Sequence, residues 1–289
     1  MRDAIDDEVL NRVDNNPSTS TRRVAGQLGV SHSSVWRVWH RFGLHPYHKQ
    51  KVQTLNPNDY PHRVNYCQWY LQKCQEDPDF PSLVLHSDEA MFSEEGILNT
   101  KNNIVWAADN PHATYEHGRQ NKFRVNVWAG ILGTYIIGPY LLPDRLNGQN
   151  YLVFLREVLP ELLRNENIPD DVIENMWLQH DGAPAHYARA VRDYLNVTFP
   201  LRWIGRGGPV PWPARSPDLT PLDFFFWGCM KDLVYATPPE SELDLVARIV
   251  AAAHEIREKG ILEEVRNNLS ERCNRCIEVN GANFEHLLV

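Results

Sequence analysis

Three aspartates stand where their surroundings would let them do chemistry. Asp88 closes the apolar run LVLHSD, Asp181 closes NMWLQHD, and Asp223 lies in SPDLTPLDFFFWG near the start of an expected helix. Strand ends hold side chains rigidly, and neighbouring strands bring Asp88 and Asp181 together. Such a set suits metal-dependent phosphoryl transfer. That chemistry asks little covalent help of a protein. It asks for two cations held close together, one activating the attacking oxygen and one stabilising the leaving oxygen. Mg²⁺ takes hard oxygen ligands and keeps several of its waters, so a few carboxylates suffice.

Each acid also has a plainer structural reading. Asp88 can cap a turn, and Asp181, just before Gly182, can serve an ordinary strand-to-helix turn. Asp223 fits a capping box, with Thr220 at N-cap, Pro221 at N1 and the acid at N3, where it also suits the helix dipole. Asp218 competes with it as a nearby acid. Singly, each plain reading is sufficient; the combination of three is harder to explain that way.

The elements that must position these acids follow from periodicity. Residues 83–88 read as a short strand. VNVWAGIL (125–132) and TYIIGPYLL (134–142) read as a hairpin through Gly133. Gln149 to Leu163 is an amphipathic helix, with Leu152, Leu155, Leu159 and Leu163 aligned. Residues 175–181 form a strand, Ala185 to Leu195 a helix, LRWI (201–204) a strand, and Thr220 to Tyr235 a helix followed by a helical tail. A polar excursion, 93–122, contains a further expected strand, NIVWAA, and carries His112, His117, Arg119 and Lys122. From residue 83 the order is β-β-β-α-β-α-β-α. It predicts an α/β layer architecture, a mixed five-stranded sheet with helices on both faces.

The N-terminal part has a different character. Ile5 to Val13, Thr21 to Leu28 and His32 to Phe42 read as three short helices, with Gly29 at a turn and Ser31 as N-cap. In TRRVAGQLGVSHSSVWRVWHR, Val24, Leu28, Val30, Val35 and Val38 fall where two packed helices need apolar contacts, and Ala25 is small at their crossing. This is the pattern of a helix-turn-helix. His32, Ser33, Ser34 and Arg37 then point outward from a recognition helix and suit base and phosphate contact. Arg41, Lys49 and Lys51 extend the basic surface into the stretch LHPYHKQKVQTLNPN, an extended linker before a helix running from Pro57 to Lys73. The organisation expected is a helix-turn-helix domain at 1–43, a basic linker at 44–58 and a catalytic domain at 59–289.

The net charge of −8 hides an asymmetry. Residues 15–58 carry six basic side chains and no acid, whereas residues 59–289 carry a net −11. A basic segment beside an acidic domain is compatible with nucleic acid despite the overall sign. The longest apolar stretch, Val125 to Leu142, is broken by Gly130, Gly133, Gly138 and Pro139, so no membrane span is expected. The acidic N-terminus lacks the apolar segment of a signal peptide. Five scattered cysteines suggest a reducing compartment. The single pair in CNRC, Cys273 and Cys276, is weak support for zinc and reads better as half-buried helical cysteines.

HSDEA, VNVWAGI, QHDGAPAH and WPARSPDLTPLDFFFWG resemble, in order and spacing, the catalytic domain of mariner-type transposases of the mariner/Tc superfamily. PYHKQKVQTLNPNDYPHRVNYCQW resembles the linker and entry helix of the same family, and the helix-turn-helix resembles its second DNA-binding unit. The resemblance implies an RNase H-like fold and a DDE/D triad binding Mg²⁺ or Mn²⁺ at Asp88, Asp181 and Asp223, the Asp variety at the third position. It implies cleavage of transposon-end phosphodiesters, then strand transfer into target DNA, usually at TA. It further implies double-stranded DNA carrying terminal inverted repeats as partner, a homodimer, action in the nucleus, and an excursion at 93–122 reaching towards the partner subunit. Two departures stand out. Forty-one residues separate Asp181 from Asp223, longer than the mariner interval, through an insert stiffened by five prolines between Pro209 and Pro221. The family has two helix-turn-helix units and this sequence supplies one, so a truncated, decayed or host-retained copy is expected. Two rivals remain, a retained DNA-binding factor with a non-catalytic scaffold and a general nuclease of the same fold.

Overall fold

The computed structural model describes residues 4–46, 52–94, 96 and 123–288. It divides into two compact units, Met1–Lys51 and Val52–Val289.

The first unit is three helices, α1 (Ala4–Asn15), α2 (Thr21–Leu28) and α3 (His32–Arg41). Val9, Val24, Ala25, Val35 and Val38 form its core, with Leu28, Val30, Trp39 and Phe42 packed around them. Ser20 and Ser31 cap α2 and α3 by accepting from the backbone N–H of Arg23 and Ser34. Gly29 closes α2 at φ 67°, a left-handed conformation that costs glycine little. These helices form where the spacing of apolar residues predicts them, because local capping and the narrow apolar stripe agree.

The second unit opens with α4 (Asp59–Glu76) and a four-residue turn of helix, α5 (Phe80–Leu83). The sheet follows with β1 (Val84–Ser93), β2 (Arg124–Leu132) and β3 (Tyr135–Leu142). A continuous helical rod comes next: α6 (Gly148–Val153), a π-helical turn at Phe154–Val158, and α7 (Leu159–Asn165). Then come α8 (Asp170–Asn175), β4 (Trp177–Gln179), α9 (Arg189–Thr198) and β5 (Trp203–Ile204). A short 3₁₀ turn (Pro217–Leu219) leads into a second π-helical turn (Leu222–Phe226) and α10 (Trp227–Val234). The long helices α11 (Glu242–Glu258) and α12 (Leu262–Glu278) complete the unit.

The five strands lie in the order β3-β2-β1-β4-β5. β1, β2 and β3 are antiparallel neighbours, while β4 and β5 run parallel to β1. This is the mixed sheet expected, with the RNase H-like arrangement. Alternation along β2 sends Val125, Val127, Ala129 and Ile131 to one face and Trp128 and Leu132 to the other. The first face packs on the second π-helical turn, α10 and α11 through Leu222, Phe226, Met230, Leu245 and Ile249. The opposite face packs on the α6–α7 rod and α9 through Tyr151, Phe154, Leu159, Val191 and Leu195. A third cluster joins α4 to α12 through Tyr70, Cys67, Leu269, Cys273 and Cys276.

Several boundaries differ from the sequence expectation. β1 continues five residues past Asp88, because antiparallel pairing with β2 runs on to Ser93 and Phe92 is fully buried. The acid is therefore inside a strand, not at its end. The residues after Asp181 turn before helix α9 begins at Arg189, four residues later than Ala185. β5 is two residues long and forms the edge of the sheet beside β4. Cys273 and Cys276 are fully buried, not half-buried, and all five cysteines are free thiols. The strand expected in NIVWAA, and His112, His117, Arg119 and Lys122, lie outside the described residues.

Candidate active site

The site is built from β1 and β4. In their parallel register, His86 lies opposite Gln179. The pairing is fixed by side chains as well: Ser87 Oγ donates to Gln179 O at 2.7 Å, and His86 Nδ1 lies 3.2 Å from Gln179 Oε1. Asp88 and Asp181 each follow that rung by two residues. Equal offsets on adjacent parallel strands bring the two carboxylates to the same level.

Asp223 reaches the same place from the π-helical turn, which packs against β1 and β2. The capping-box reading of this acid fails. Thr220 and Pro221 supply no side-chain cap to the helix, and Thr220 Oγ1 is buried without a partner. A π turn widens the helix by one residue and is frequent where a side chain must be aimed. Asp218, the competing acid, is engaged elsewhere. Arg63 from α4, fully buried, grips it with both terminal nitrogens, Nη1 at 2.7 Å from Oδ1. The same guanidinium donates to Ser216 Oγ and Gly281 O, each at 2.8 Å. Asp59 at the start of α4 binds Arg215 in the same way, through Nε and Nη2. These two ion pairs, together with the bridge between Ile204 and Val210, pin the proline-rich insert to the domain. The insert is held by charge pairs as well as by its prolines.

Electrostatics tie the three acids together. Burial pushes Asp88 up to about 8, with further repulsion from Asp223 and Glu89. Burial and the charge of Asp181 push Asp223 up to about 6, although its residue surface is open to solvent. Burial also pushes Asp181 upward, but His186 and the amide of Ala183 outweigh it and hold this carboxyl below the usual range. His186 Nδ1 sits 2.6 Å from Asp181 Oδ1, and its Nε2 sits 3.2 Å from Glu89 Oε1. Burial alone would lower His186, but Glu89 and Asp181 raise it to about 10, so the ring is the cation between two acids. His186 stacks on His180 with 4.9 Å between centroids, and Tyr151 Oη bonds His180 Nδ1 at 3.1 Å. On the other face, Trp227 Nε1 donates to Asp88 Oδ2 at 2.8 Å. Sequence reasoning missed Glu89, His180, His186, Trp227 and Arg63. Glu89 and His186 were visible inside HSDEA and QHDGAPAH, but nothing in their spacing assigns a partner.

The donor set fits a divalent cation of the Mg²⁺ class. It is all oxygen, and it carries like charges that raise two of the three acids, a strain that a cation relieves. Among the described residues no three His, Cys, Asp or Glu stand ready-made around one ion.

In the first unit His32, Ser33 and Arg37 are exposed on α3, and Ser34 is half-buried beside them. Ser20, Thr21, Arg22, His32, Ser33 and Trp36 line an open hollow between the starts of α2 and α3. Trp36 is 55% exposed and stacked on His40. Arg41 differs from expectation. Its Nη1 donates to Asp6 of α1 at 2.8 Å, so it ties α3 to α1. Lys49 and Lys51 lie outside the described residues.

Fold and site together define an α/β domain of the RNase H-like class with a cluster of acids on its sheet, and the chain also carries a helix-turn-helix unit. No family profile matches the chain. It is 30% identical over 112 residues to the Tc3 transposase of Caenorhabditis elegans, covering 39% of this chain and 30% of that one. It is 24% identical over 237 residues to the mariner Mos1 transposase of Drosophila mauritiana, covering 78% and 63%. The chain thus spans less than two thirds of the length of these curated relatives. Among solved structures, a Mos1 transposase paired-end complex with left transposon end superposes over 99% of this chain and 82% of that chain, with a TM-score of 0.76 at 21% identity. The Mos1 catalytic domain superposes over 82% of this chain and 100% of its own, with a TM-score of 0.61 at 22% identity. The chain resembles these transposases in sequence over part of their length and shares the fold of the Mos1 transposase. No helix among the described residues is long and apolar enough to cross a membrane.

Proposed function

We propose that this chain is a DNA transposase subunit that cleaves phosphodiesters at transposon ends and joins the freed 3′ end to target DNA. The observation that supports the reading is the mutual electrostatic influence of Asp88, Asp181 and Asp223, while Asp218 is paired with Arg63. Asp88 and Asp181 bind the divalent cations and Asp223 completes the set. Bound Mg²⁺ or Mn²⁺ supplies charge stabilisation to the attacking and leaving oxygens. Relatives with this fold include Mos1 complexes solved with Mn and with Mg, which supports that choice.

The protein's own residues do the placing. His186 holds the Asp181 carboxylate ionised and oriented, and Trp227 orients Asp88. Buried His86 and His180 are pushed down to about 4 and about 3 by desolvation, so both are neutral and add no competing charge. The first unit reads duplex DNA through His32, Ser33, Ser34 and Arg37, with Lys49 and Lys51 contributing to the backbone. The substrates are transposon terminal repeats and a target, TA by family likeness. The assembly is a homodimer that pairs two ends, in keeping with the Mos1 paired-end and strand-transfer complexes. The place of action is the nucleus, where chromosomal DNA lies.

The deciding experiment is strand cleavage of a duplex with and without Mg²⁺ or Mn²⁺, comparing the parent chain with Asp181→Asn. Cleavage that needs the metal and vanishes in the variant supports the proposal. Equal cleavage by both chains sinks it.

A further inference from the structure

Beside Asp181 lies a feature that the acid triad does not use. Tyr187, at the end of the motif QHDGAPAHY, carries two guanidinium groups on one ring. Arg192 Cζ is 4.5 Å from the ring centroid and Arg206 Cζ is 4.3 Å from it. Arg192 comes from the first turn of α9. Arg206 comes from the loop after β5, which opens the insert.

The cluster is built by close backbone approach. Gly207 has φ 77°, and a Cβ there would stand 2.9 Å from Tyr187 Cε2 and 3.3 Å from Arg192 Cδ. Only glycine lets this loop lie so near. The stem of Arg206 lies against Gly182, where an added Cβ would meet Arg206 Cβ and Cδ at 3.4 Å. Gly182 is the residue that follows Asp181, so the Arg206 side chain borders the acid site directly.

Charge makes the arrangement costly as it stands. Among the described residues neither Arg192 nor Arg206 has a carboxylate within ion-pair distance; Arg192 Nε bonds only the Tyr187 carbonyl at 3.2 Å. Two like charges on one ring repel, and cation–π attraction of about 0.5–1 kcal/mol each at an exposed site offsets that only in part. Helix α9 adds the positive end of its dipole, and no side chain caps it. Tyr187 and Arg206 are exposed, so the cluster is open to a ligand. A bridging anion satisfies all of these groups together.

We infer that Tyr187, Arg192 and Arg206 form a seat for a backbone phosphate of the DNA strand next to the phosphodiester cut at Asp88, Asp181 and Asp223. Two guanidiniums match the fork geometry of a phosphate, and the tyrosine ring keeps them apart and aimed. The seat rests on the proposed DNA chemistry but has its own readout. It assigns the glycine-rich start of the insert a task, the delivery of Arg206 to the strand.

The test uses the full chain and a duplex oligonucleotide in metal-free buffer, with affinity measured by fluorescence anisotropy between 50 and 200 mM salt. Arg206→Gln and Arg192→Gln should each weaken binding about tenfold. Each should also lower the magnitude of the slope of log K against log salt by about 0.9, the signature of one lost phosphate contact. Tyr187→Phe should keep the parent slope and Tyr187→Ala should not. Arg164→Gln, a distant surface change in a residue paired with Glu161, is the control and should match the parent. Metal-dependent nicking is scored separately on the parent. A parent that binds DNA without nicking it, with slopes that fall as stated, supports the seat and sinks the transposase reading. A parent that nicks DNA, with Arg206→Gln and Arg192→Gln both at the parent slope, overturns the seat and leaves the transposase reading standing.

Discussion

Asp88 and Asp181 each stand two residues beyond the rung where His86 of β1 faces Gln179 of β4. That equal offset is what turns two separate sequence motifs into one acid site. A slip of β4 by one residue against β1 would break that shared level, because successive side chains alternate between the faces of a sheet.

The acid triad predicts a sharp separation between losing activity and losing fold. Asp223→Asn should keep the thermal stability of the parent or exceed it, since it removes like-charge repulsion, whereas Asp181→Asn should lose a little stability with its ion pair to His186. Each should lose metal-dependent cleavage by several powers of ten, because metal-assisted charge stabilisation is worth several kcal/mol and about 1.4 kcal/mol is tenfold in rate. Single-turnover cleavage and thermal melts on the same preparations check this. Parent-like cleavage by Asp223→Asn would transfer the third role to another acid.

Asp218→Asn should behave in the opposite way. It leaves Arg63 buried with an uncompensated charge, and breaking one side of a buried pair costs about 3–5 kcal/mol. The melting temperature should fall by many degrees. Cleavage per folded molecule, measured at a temperature where the variant is still native, should stay close to the parent. A stable but inactive Asp218→Asn would show that this acid belongs to the chemistry after all.

The raised Asp88 gives a pH dependence with a definite sign. Its folded value, about 8, lies above the unfolded value near 3.9. The protonated form is therefore favoured by folding. This contribution is fully present below pH about 4 and is lost as pH rises through about 8. In metal-free buffer the parent should lose stability relative to Asp88→Asn across that window and then level off. Mg²⁺ should remove the difference in its upper half by neutralising the carboxylate. Melting both proteins in steps of pH, with and without Mg²⁺, measures it; a difference independent of pH contradicts the assignment.

The helix-turn-helix makes a prediction that separates two arginines. Arg37 bonds only its own helix, at 3.4 Å to Ser33 O and 3.4 Å to Ser34 Oγ, so it is readily released to a phosphate. Arg37→Ala should weaken duplex binding and reduce the salt slope by about 0.9 with little change in stability. Arg41→Ala should instead loosen α1 from α3, because Asp6 loses its partner. Binding isotherms over a salt series, beside a melt of the same variants, distinguish them. Equal behaviour of the two arginines would remove the distinction.

The sequence by itself determined the elements whose local signals agree. The three N-terminal helices are set by serine caps, Gly29 and a narrow apolar stripe, all within a few residues of one another. Strand alternation likewise fixed the faces of β2 and β3. The three acids were legible because each sits in a distinctive motif.

Only the tertiary structure shows what occupies Asp218. The resemblance of the motif points to Asp223, but local pattern leaves Asp218 available, and Arg63, 155 residues before Asp218, is what engages it. The same holds for His186, whose charge depends on Glu89, 97 residues away, and for Arg206, whose neighbour Tyr187 comes from another loop. The physical reason is common to all three. A charge in a folded protein takes its state from what surrounds it in space, and burial and ion pairing act over a few ångströms without regard to position along the chain. The length of β1 follows the same rule, since strand pairing with β2 carries it past the polar residues at which local pattern would have ended it.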